Sequence, residues 1–376
     1  MENEFTQFYK EHNISPVSQD LSDINLHLKR RANLYQMLGI DKRLFKNRDV
    51  LEVGPGSGFN SICFCKWGAN LDLVEPNDKG RKEISQNLNG YKFRLYDDFI
   101  ENFVSSKKYD FVIAEGFLPS LNNSKDILSS LIKLVKKDGI LVTTCIDEFS
   151  HFYEDLRRIT GFILIRNLEY FDERVKILCK AFKSHLSSLK FASRPIEDWV
   201  SDVVLNPVND NKFLSIKNYI KIIDKITNGG GGMELIAVNP CLVSNLSWYK
   251  DINYSYKNEF KNKFDRKKHI LLDTSWGDFD RETDKNNRLQ KELLEFRRAI
   301  KIYKLGECKI DKIVEILTKI CNNNADLPTS FIKCINEVLE LLNKDFDWKD
   351  LSNAENFRTS WGRGQQYVSF RKAYDI

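Results

Sequence analysis

The sequence predicts an α/β protein: a doubly wound, mostly parallel sheet with a helical cap insertion and a helical C-terminal addition. Three features predict it. Between residues 49 and 144 short apolar runs alternate with amphipathic stretches, the pattern of parallel strands joined by crossover helices. A loop with three glycines, Gly54-Pro55-Gly56-Ser57-Gly58, follows the first of those runs. Beyond Cys145 the short rhythm gives way to long stretches of helical spacing.

Taken in order, residues 1–47 make an N-terminal helical segment. Within it, 24–37 place Ile24, Leu26, Leu28, Leu34 and Tyr35 among Lys29, Arg30 and Arg31, a helix expected as a lid or packing element. Val50-Leu51-Glu52-Val53 is the first strand, the glycine loop follows it, and Asn60 to Trp67 is a helix stopped by Gly68. The unit then repeats: strand Leu71–Val74, helix Asp78–Leu88, strand Lys92–Tyr96, strand Tyr109–Ala114, helix Lys125–Lys137, and strand Ile140–Thr144 opened by the turn Asp138-Gly139. Longer helical patterns fill 151–192. Four glycines at 229–232 precede the strand-like Met233–Val238. Apolar helical faces recur from Arg288, around Ile313 and around Ile332, and Gln366–Arg371 alternates like a late strand. The expected division is a sheet core over 48–250 with a cap at about 151–225, then a mostly helical region over 251–376 that ends in a strand.

Bulk properties narrow the class. The 58 basic residues exceed the 53 acidic ones by five, and no long block of one sign occurs, so no nucleic-acid partner is demanded. Met1-Glu2-Asn3-Glu4 opens without a basic stretch and an apolar run, and no segment reaches bilayer-spanning length, which predicts a cytoplasmic protein with no membrane span. The eight cysteines include no C-x-x-C pair, and no histidine sits at zinc-ligand spacing, so reduced core cysteines and no metal site are expected. Asp147 and Glu148 are two acids without a clear third ligand, a weak basis for a divalent ion.

The glycine loop lies where the chain must turn sharply and let its backbone approach a ligand above the strand ends. Phe59 stands where a dinucleotide fingerprint needs its third glycine, which disfavours a nicotinamide dinucleotide. No Lys-Ser/Thr follows to make a phosphate loop. Glu75 closes the second strand, where a carboxylate accepts hydrogen bonds from both hydroxyls of a ribose.

At this point Leu51-Glu52-Val53-Gly54-Pro55-Gly56-Ser57-Gly58 and Val74-Glu75-Pro76 resemble the first motif and the ribose motif of class I, Rossmann-like methyltransferases. Asp97-Asp98, the segment Tyr109–Gly116 and the segment Leu134–Val142 extend the resemblance over about residues 48–150. It implies S-adenosylmethionine as cofactor. Glu52 and the backbone of Gly54, Pro55, Gly56 and Gly58 would face the methionine part, Glu75 with Pro76 the ribose, and Asp97 or Asp98 the adenine amine, with Glu115 closing the site from the fourth strand.

Methyl transfer from a sulfonium is an in-line displacement, so the protein supplies alignment and desolvation, and a hydroxyl acceptor also benefits from a base. Candidates on the crevice side are Glu115, Asp147, Glu148, His151 and, in the cap, His185. Each histidine is also readable as a packing residue. Ser193-Arg194-Pro195-Ile196-Glu197-Asp198-Trp199 and Trp361-Gly362-Arg363-Gly364 are candidate substrate-contacting segments through Arg194, Asp198, Trp199 and Arg363, or plain turns. Glu115-Gly116-Phe117-Leu118 stands where base-amine methyltransferases carry Asn/Asp-Pro-Pro-aromatic, which argues against a polynucleotide acceptor. These two segments, with Ser247-Trp248-Tyr249-Lys250-Asp251, are loosely similar to methyltransferases of bacterial surface-polysaccharide clusters. That likeness implies O-methylation of a sugar hydroxyl, such as a nucleotide-activated hexose or heptose destined for capsule or lipopolysaccharide. A small non-sugar acceptor, or a cofactor-binding scaffold without activity, stay open beside it. Helices in 281–345 offer a homodimer interface.

Overall fold

The computed structural model describes residues 4–12, 14, 21–190, 192, 194–227, 232–244, 248–250 and 256–373. They divide into two compact units, one of residues 1–146, 211–263 and 365–376, the other of 147–210 and 264–364. The first unit opens with α1 (Glu4–Glu11) and α2 (Ile24–Met37). It then alternates through β1 (Asp49–Val53), α3 (Ser61–Lys66), β2 (Asn70–Val74), α4 (Asp78–Asn87), β3 (Phe93–Tyr96), β4 (Tyr109–Ala114), α5 (Ser124–Leu134) and β5 (Val135–Cys145). The second unit takes α6 (Phe152–Ile165), α7 (Phe171–Ser188) and α8 (Ile196–Trp199). The chain returns to the first unit for α9 (Ile216–Ile226) and β6 (Met233–Asn239), crosses again within α10 (Tyr256–Lys267), and builds α11 (Thr283–Lys304), α12 (Ile310–Asn323), α13 (Thr329–Leu342), α14 (Trp348–Asn353) and α15 (Glu355–Thr359). It ends the sheet with β7 (Gln366–Lys372).

The seven strands lie in the order β3-β2-β1-β4-β5-β7-β6. The first five are parallel, and β7 runs antiparallel between β5 and β6. Apolar runs such as Val50-Leu51 and Phe111-Val112-Ile113-Ala114 are buried, as expected of parallel strands covered on both faces. Where β5 meets β4 the register slips between Tyr109 and Phe111. Asp138 there takes φ 60°, and a Cβ on Gly139 would sit 3.0 Å from three backbone carbonyl oxygens. The predicted turn at Asp138-Gly139 is therefore a bulge within the strand, and only glycine fits it.

One core cluster packs Tyr35, Leu38 and Phe45 from the N-terminal segment against Phe64, Leu73 and Ile113. Tyr35 meets Phe45 and Phe64 edge-on at 5.3 and 5.6 Å between ring centres. Burying aromatic rings of this size contributes roughly 2 kcal/mol each, which fixes α2 to the sheet. Caps set the helix starts: Asp23 accepts from Leu26 N, and Asn77 accepts from Gly80 N at 3.0 Å.

Two features of the expected organisation are corrected. The late strand is not the end of an appended region. Its pairing with β5 and β6 makes the stretch between β6 and β7 an excursion from the sheet, because Asn239 registers with Tyr367. The helical additions also do not separate into a cap and a C-terminal region. Residues 147–210 and 264–364 form one unit, while α9 and β6 stay with the sheet. Ile146 N donates to Leu214 O at 3.3 Å, so the first excursion leaves and rejoins the sheet unit at one place.

The second unit is organised by buried arginines. Arg157 is fully buried, donates to the carbonyls of Phe357 (3.1 Å) and Ser360 (2.8 Å), and stacks over Trp361 at 3.7 Å. Arg158 donates to Val203 O and pairs with Asp210 at 2.6 Å. Arg297 holds both oxygens of Asp155. No helix among the described residues is long and apolar enough to cross a membrane.

Candidate active site

The site forms in the first unit at the carboxyl ends of β1 and β4, where the strand order reverses. In open α/β sheets this switch point leaves a crevice. Gly54 and Gly56 take φ 67° and 59°, left-handed values that side chains with a Cβ resist. At Gly54 a Cβ would also press on the Phe117 ring at 3.0 Å. Gly54 N donates to Val74 O at 2.9 Å, which ties the loop to the end of β2.

Glu75, at that end, is buried and binds the loop directly. Its carboxylate accepts from Gly56 N at 3.0 Å and from Asn77 N at 2.9 Å. Each oxygen keeps a lone pair for a further donor. Burial raises its pKa to about 7, against the two backbone hydrogen bonds. Glu52 on β1 accepts from Ser61 Oγ at 2.6 Å. It too is raised to about 7, chiefly by burial.

A cleft beside these groups is lined by Glu52, Gly54, Pro55, Phe59, Asn60 and Glu115. Glu115 accepts from Arg31 Nη2 at 2.8 Å on both oxygens and from Tyr35 Oη at 2.8 Å. His27 Nε2 lies 3.1 Å from Phe59 O. Thus His27, Arg31 and Tyr35, one helical turn apart on α2, bring polar atoms to the cleft. The sequence reading assigned that helix a lid or packing role and missed them. Their spacing of four was the available signal, but it also describes an ordinary helix face. Arg81 is a second omission. It donates to Glu75 O at 3.0 Å and pairs with Asp97 at 2.7 Å.

Asp97 is exposed and engaged by Arg81, and Asp98 accepts from Phe99 N at 2.8 Å. Pro76 is half-buried beside Glu75. The remaining candidates lie in the second unit. His185 is buried, accepts from Arg157 Nε at 3.3 Å through Nδ1 and donates from Nε2 to Leu351 O at 2.8 Å. Burial, followed by the charge of Arg157, lowers its pKa to about 3. With both nitrogens committed to packing, His185 is corrected from base to structural histidine. His151 sits 3.1 Å from Asp155 Oδ1 at the start of α6. Asp147 is buried and raised to about 8, first by desolvation and then by neighbouring Glu148. Arg194 pairs with Asp202 at 2.8 Å, and Trp199 is buried 6.0 Å from the Phe182 ring. Arg363 donates to the carbonyls of Ile270 and Trp276. These engagements give Trp199 and Arg363 internal packing partners where substrate contacts were expected. Asp198 is on α8 in the same unit. Ser193, the glycines at 229–231, Ser247 and Asp251 lie outside the described residues.

Glu115 lines the cleft, with Arg31 on both of its oxygens and Tyr35 on Oε1. Two atoms beside the cleft carry no partner, Arg31 Nε and Asn60 Oδ1, both buried. Buried polar atoms left unpaired cost free energy, so Asn60 Oδ1, on a residue that lines the cleft, offers an acceptor for something bound there. Glu52, Glu75 and Glu115 outnumber Arg31 and Arg81 nearby, which suits a ligand carrying positive charge and a ribose.

The parallel sheet, the left-handed glycine loop at its switch point and the acid closing β2 define a Rossmann-like domain. Residues 27–178 match a family model described as a methyltransferase domain. Over 120 residues the chain is 34% identical to the ribosomal protein L11 methyltransferase of a Nitratiruptor species, covering 29% of this chain and 38% of that protein. It is 25% identical over 108 residues to the ubiquinone biosynthesis O-methyltransferase of Rickettsia canadensis, covering 28% and 45%. The N-methyltransferase NodS from Bradyrhizobium japonicum, solved with S-adenosyl-L-homocysteine, aligns at 15% identity and TM-score 0.32 over 39% of this chain and 75% of that one. The chain therefore spans less than half the length of the curated relatives it matches. Residues 27–178, about two fifths of the chain, are thus similar to a methyltransferase domain, and their strand order is that of a Rossmann-like sheet.

Proposed function

We propose that this protein transfers a methyl group from S-adenosylmethionine to a small-molecule acceptor. One observation supports this reading above the rest: the left-handed loop at Gly54 and Gly56 is bonded to the buried Glu75 carboxylate beside a cleft rich in acids. The loop amides and Glu52 would hold the methionine part, and Glu75 the ribose hydroxyls. The cofactor, when bound, supplies an electrophilic methyl on a sulfonium. The chain's own part is to orient that group and exclude water, through Phe59 and Pro55 at the cleft and α2 beside it.

The finer reading is O-methylation of a sugar hydroxyl, with a nucleotide-activated hexose or heptose as the acceptor. The sequence likeness to surface-polysaccharide methyltransferases supports it, and no residue contact adds to that support. Incubation with methyl-labelled cofactor and parallel panels of nucleotide sugars, quinols, porphyrins and ribosomal protein tests both levels. Label on a nucleotide sugar is the expected result. Label only on another small-molecule panel refutes the sugar, label only on protein refutes the small-molecule acceptor, and absence of calorimetric binding of S-adenosylhomocysteine overturns the cofactor reading itself.

A further inference from the structure

The charges around the cleft are uneven. Glu52, Glu75 and Glu115 contribute three carboxylates, and Glu52 is close enough to the other two for each to disfavour its ionisation. Arg31 is the cation set against Glu115, and Arg81 is the one beside Glu75, so the carboxylates stay in excess. Arg31 is buried, as is Glu115, with side chains 9% and 11% exposed, so solvent screens the pair weakly. Arg31 spends a single nitrogen, Nη2, on both oxygens of Glu115. Tyr35 adds a hydroxyl donor but no charge.

Resting on the function proposed above, we infer that this acidic surplus makes the cleft discriminate by ligand charge, favouring the cationic cofactor relative to the neutral thioether left after transfer, and that Arg31 sets the degree by neutralising Glu115. S-adenosylmethionine carries a sulfonium, an ammonium and a carboxylate, a net charge of plus one. S-adenosylhomocysteine lacks the sulfonium and is neutral overall. Transfer moves the methyl to the acceptor, the carbon–sulfur bonding pair stays on sulfur, and the acceptor's proton carries the positive charge away. The two nucleosides differ only in the sulfonium methyl and would otherwise make the same contacts, so a change in cleft charge acts on their affinity ratio. Arg31 is thus a positioning residue that tunes selectivity through Glu115.

The test is calorimetric titration of both nucleosides into the full chain and three variants. Glu115→Gln removes one negative charge and is expected to lower the preference for the cofactor relative to its product by roughly three- to ten-fold. Arg31→Gln leaves Glu115 uncompensated and is expected to move the same ratio the other way. Arg31→Lys keeps the charge and stays near the native ratio. A merely structural role would weaken both ligands together. Equal factors for both ligands, or one direction of change in both glutamine variants, overturn the inference. Binding of neither nucleoside to the native chain refutes the functional reading instead. If the glutamine variants do not fold, the native chain carries the test. Between about pH 8 and about pH 6 the ratio should shift toward the product as Glu52, faced by Ser61, Glu115, Arg31 and Glu75, and Glu75, faced by the Gly56 and Asn77 amides and Arg81, take up protons. A ratio independent of pH overturns it.

Discussion

The cleft of the sheet unit and the interior of the helical unit both bury arginine, yet they use it differently. In the helical unit Arg157 spends Nε and Nη2 on His185, Phe357 O and Ser360 O and lays its plane on Trp361. It adds donors to the carbonyls at the end of α15, where Phe357 O also accepts from Ser360 N. In the cleft, Arg31 meets a carboxylate that lines an opening, while each arginine leaves one nitrogen unspent, Nε in Arg31 and Nη1 in Arg157. The difference separates a charge that holds a fold from one that adjusts a site.

Four substitutions or conditions break or sharpen that contrast. Arg157→Met should be the most damaging, because it strips donors from two buried carbonyls and from His185. We expect a loss of about 3 kcal/mol in urea unfolding, with little change in S-adenosylhomocysteine affinity for the folded fraction. A stable variant with altered affinity would erase the distinction. Gly54→Val forces a β-branched residue to positive φ and into the Phe117 ring. Cofactor binding should fall by roughly a hundred-fold or more in calorimetry while circular dichroism keeps the helical signal. Undiminished binding would mean that the loop is not the cofactor cradle. Glu75→Gln keeps shape but presents an amide NH2 to donors in place of one oxygen, so affinity should fall roughly ten-fold. An unchanged Kd would remove Glu75 from the ribose site.

The mildest effect is that of pH. Glu52 and Glu75 sit near 7 in the folded chain because burial disfavours their ionised forms. An acid raised above its unfolded value makes the folded state hold protons that the unfolded state has released, so between about pH 4.5 and about pH 7 stability without ligand falls as pH rises. A cationic ligand favours the ionised carboxylates, so its affinity should rise several-fold over about pH 6 to 8, with proton release detectable from the buffer dependence of the binding heat. Proton uptake on binding would contradict the raised values.

Much of the sheet was legible because its signals are local. Strand runs such as Tyr109–Ala114 and the glycine loop are set by neighbours within a few residues, and the structure reproduces them nearly residue for residue. The pairing of β7 between β5 and β6 joins residues far apart in the chain and leaves no periodic trace. For the same reason the sequence could not show that 147–210 and 264–364 share one unit. His185 illustrates the limit at a single residue. Its sequence surroundings, Phe182-Lys183-Ser184-His185-Leu186, suit a base as well as a packing ring, and only the partners Arg157 and Leu351 O decide between them. Arg31 was hidden the opposite way, as one cation in Lys29-Arg30-Arg31 whose distinction is a partner 84 positions away.

The place of β7 in the sheet also bears on how the protein is made. Until residues 366–372 have left the ribosome, β5 shows an open edge on one side and β6 has no neighbour on the sheet. The nascent chain must carry these two unsatisfied ladders through synthesis of the whole helical excursion between them. Exposed strand edges invite pairing with other chains. Truncations just before Gln366 should therefore give a product that aggregates, because β7 is the strand that closes both ladders.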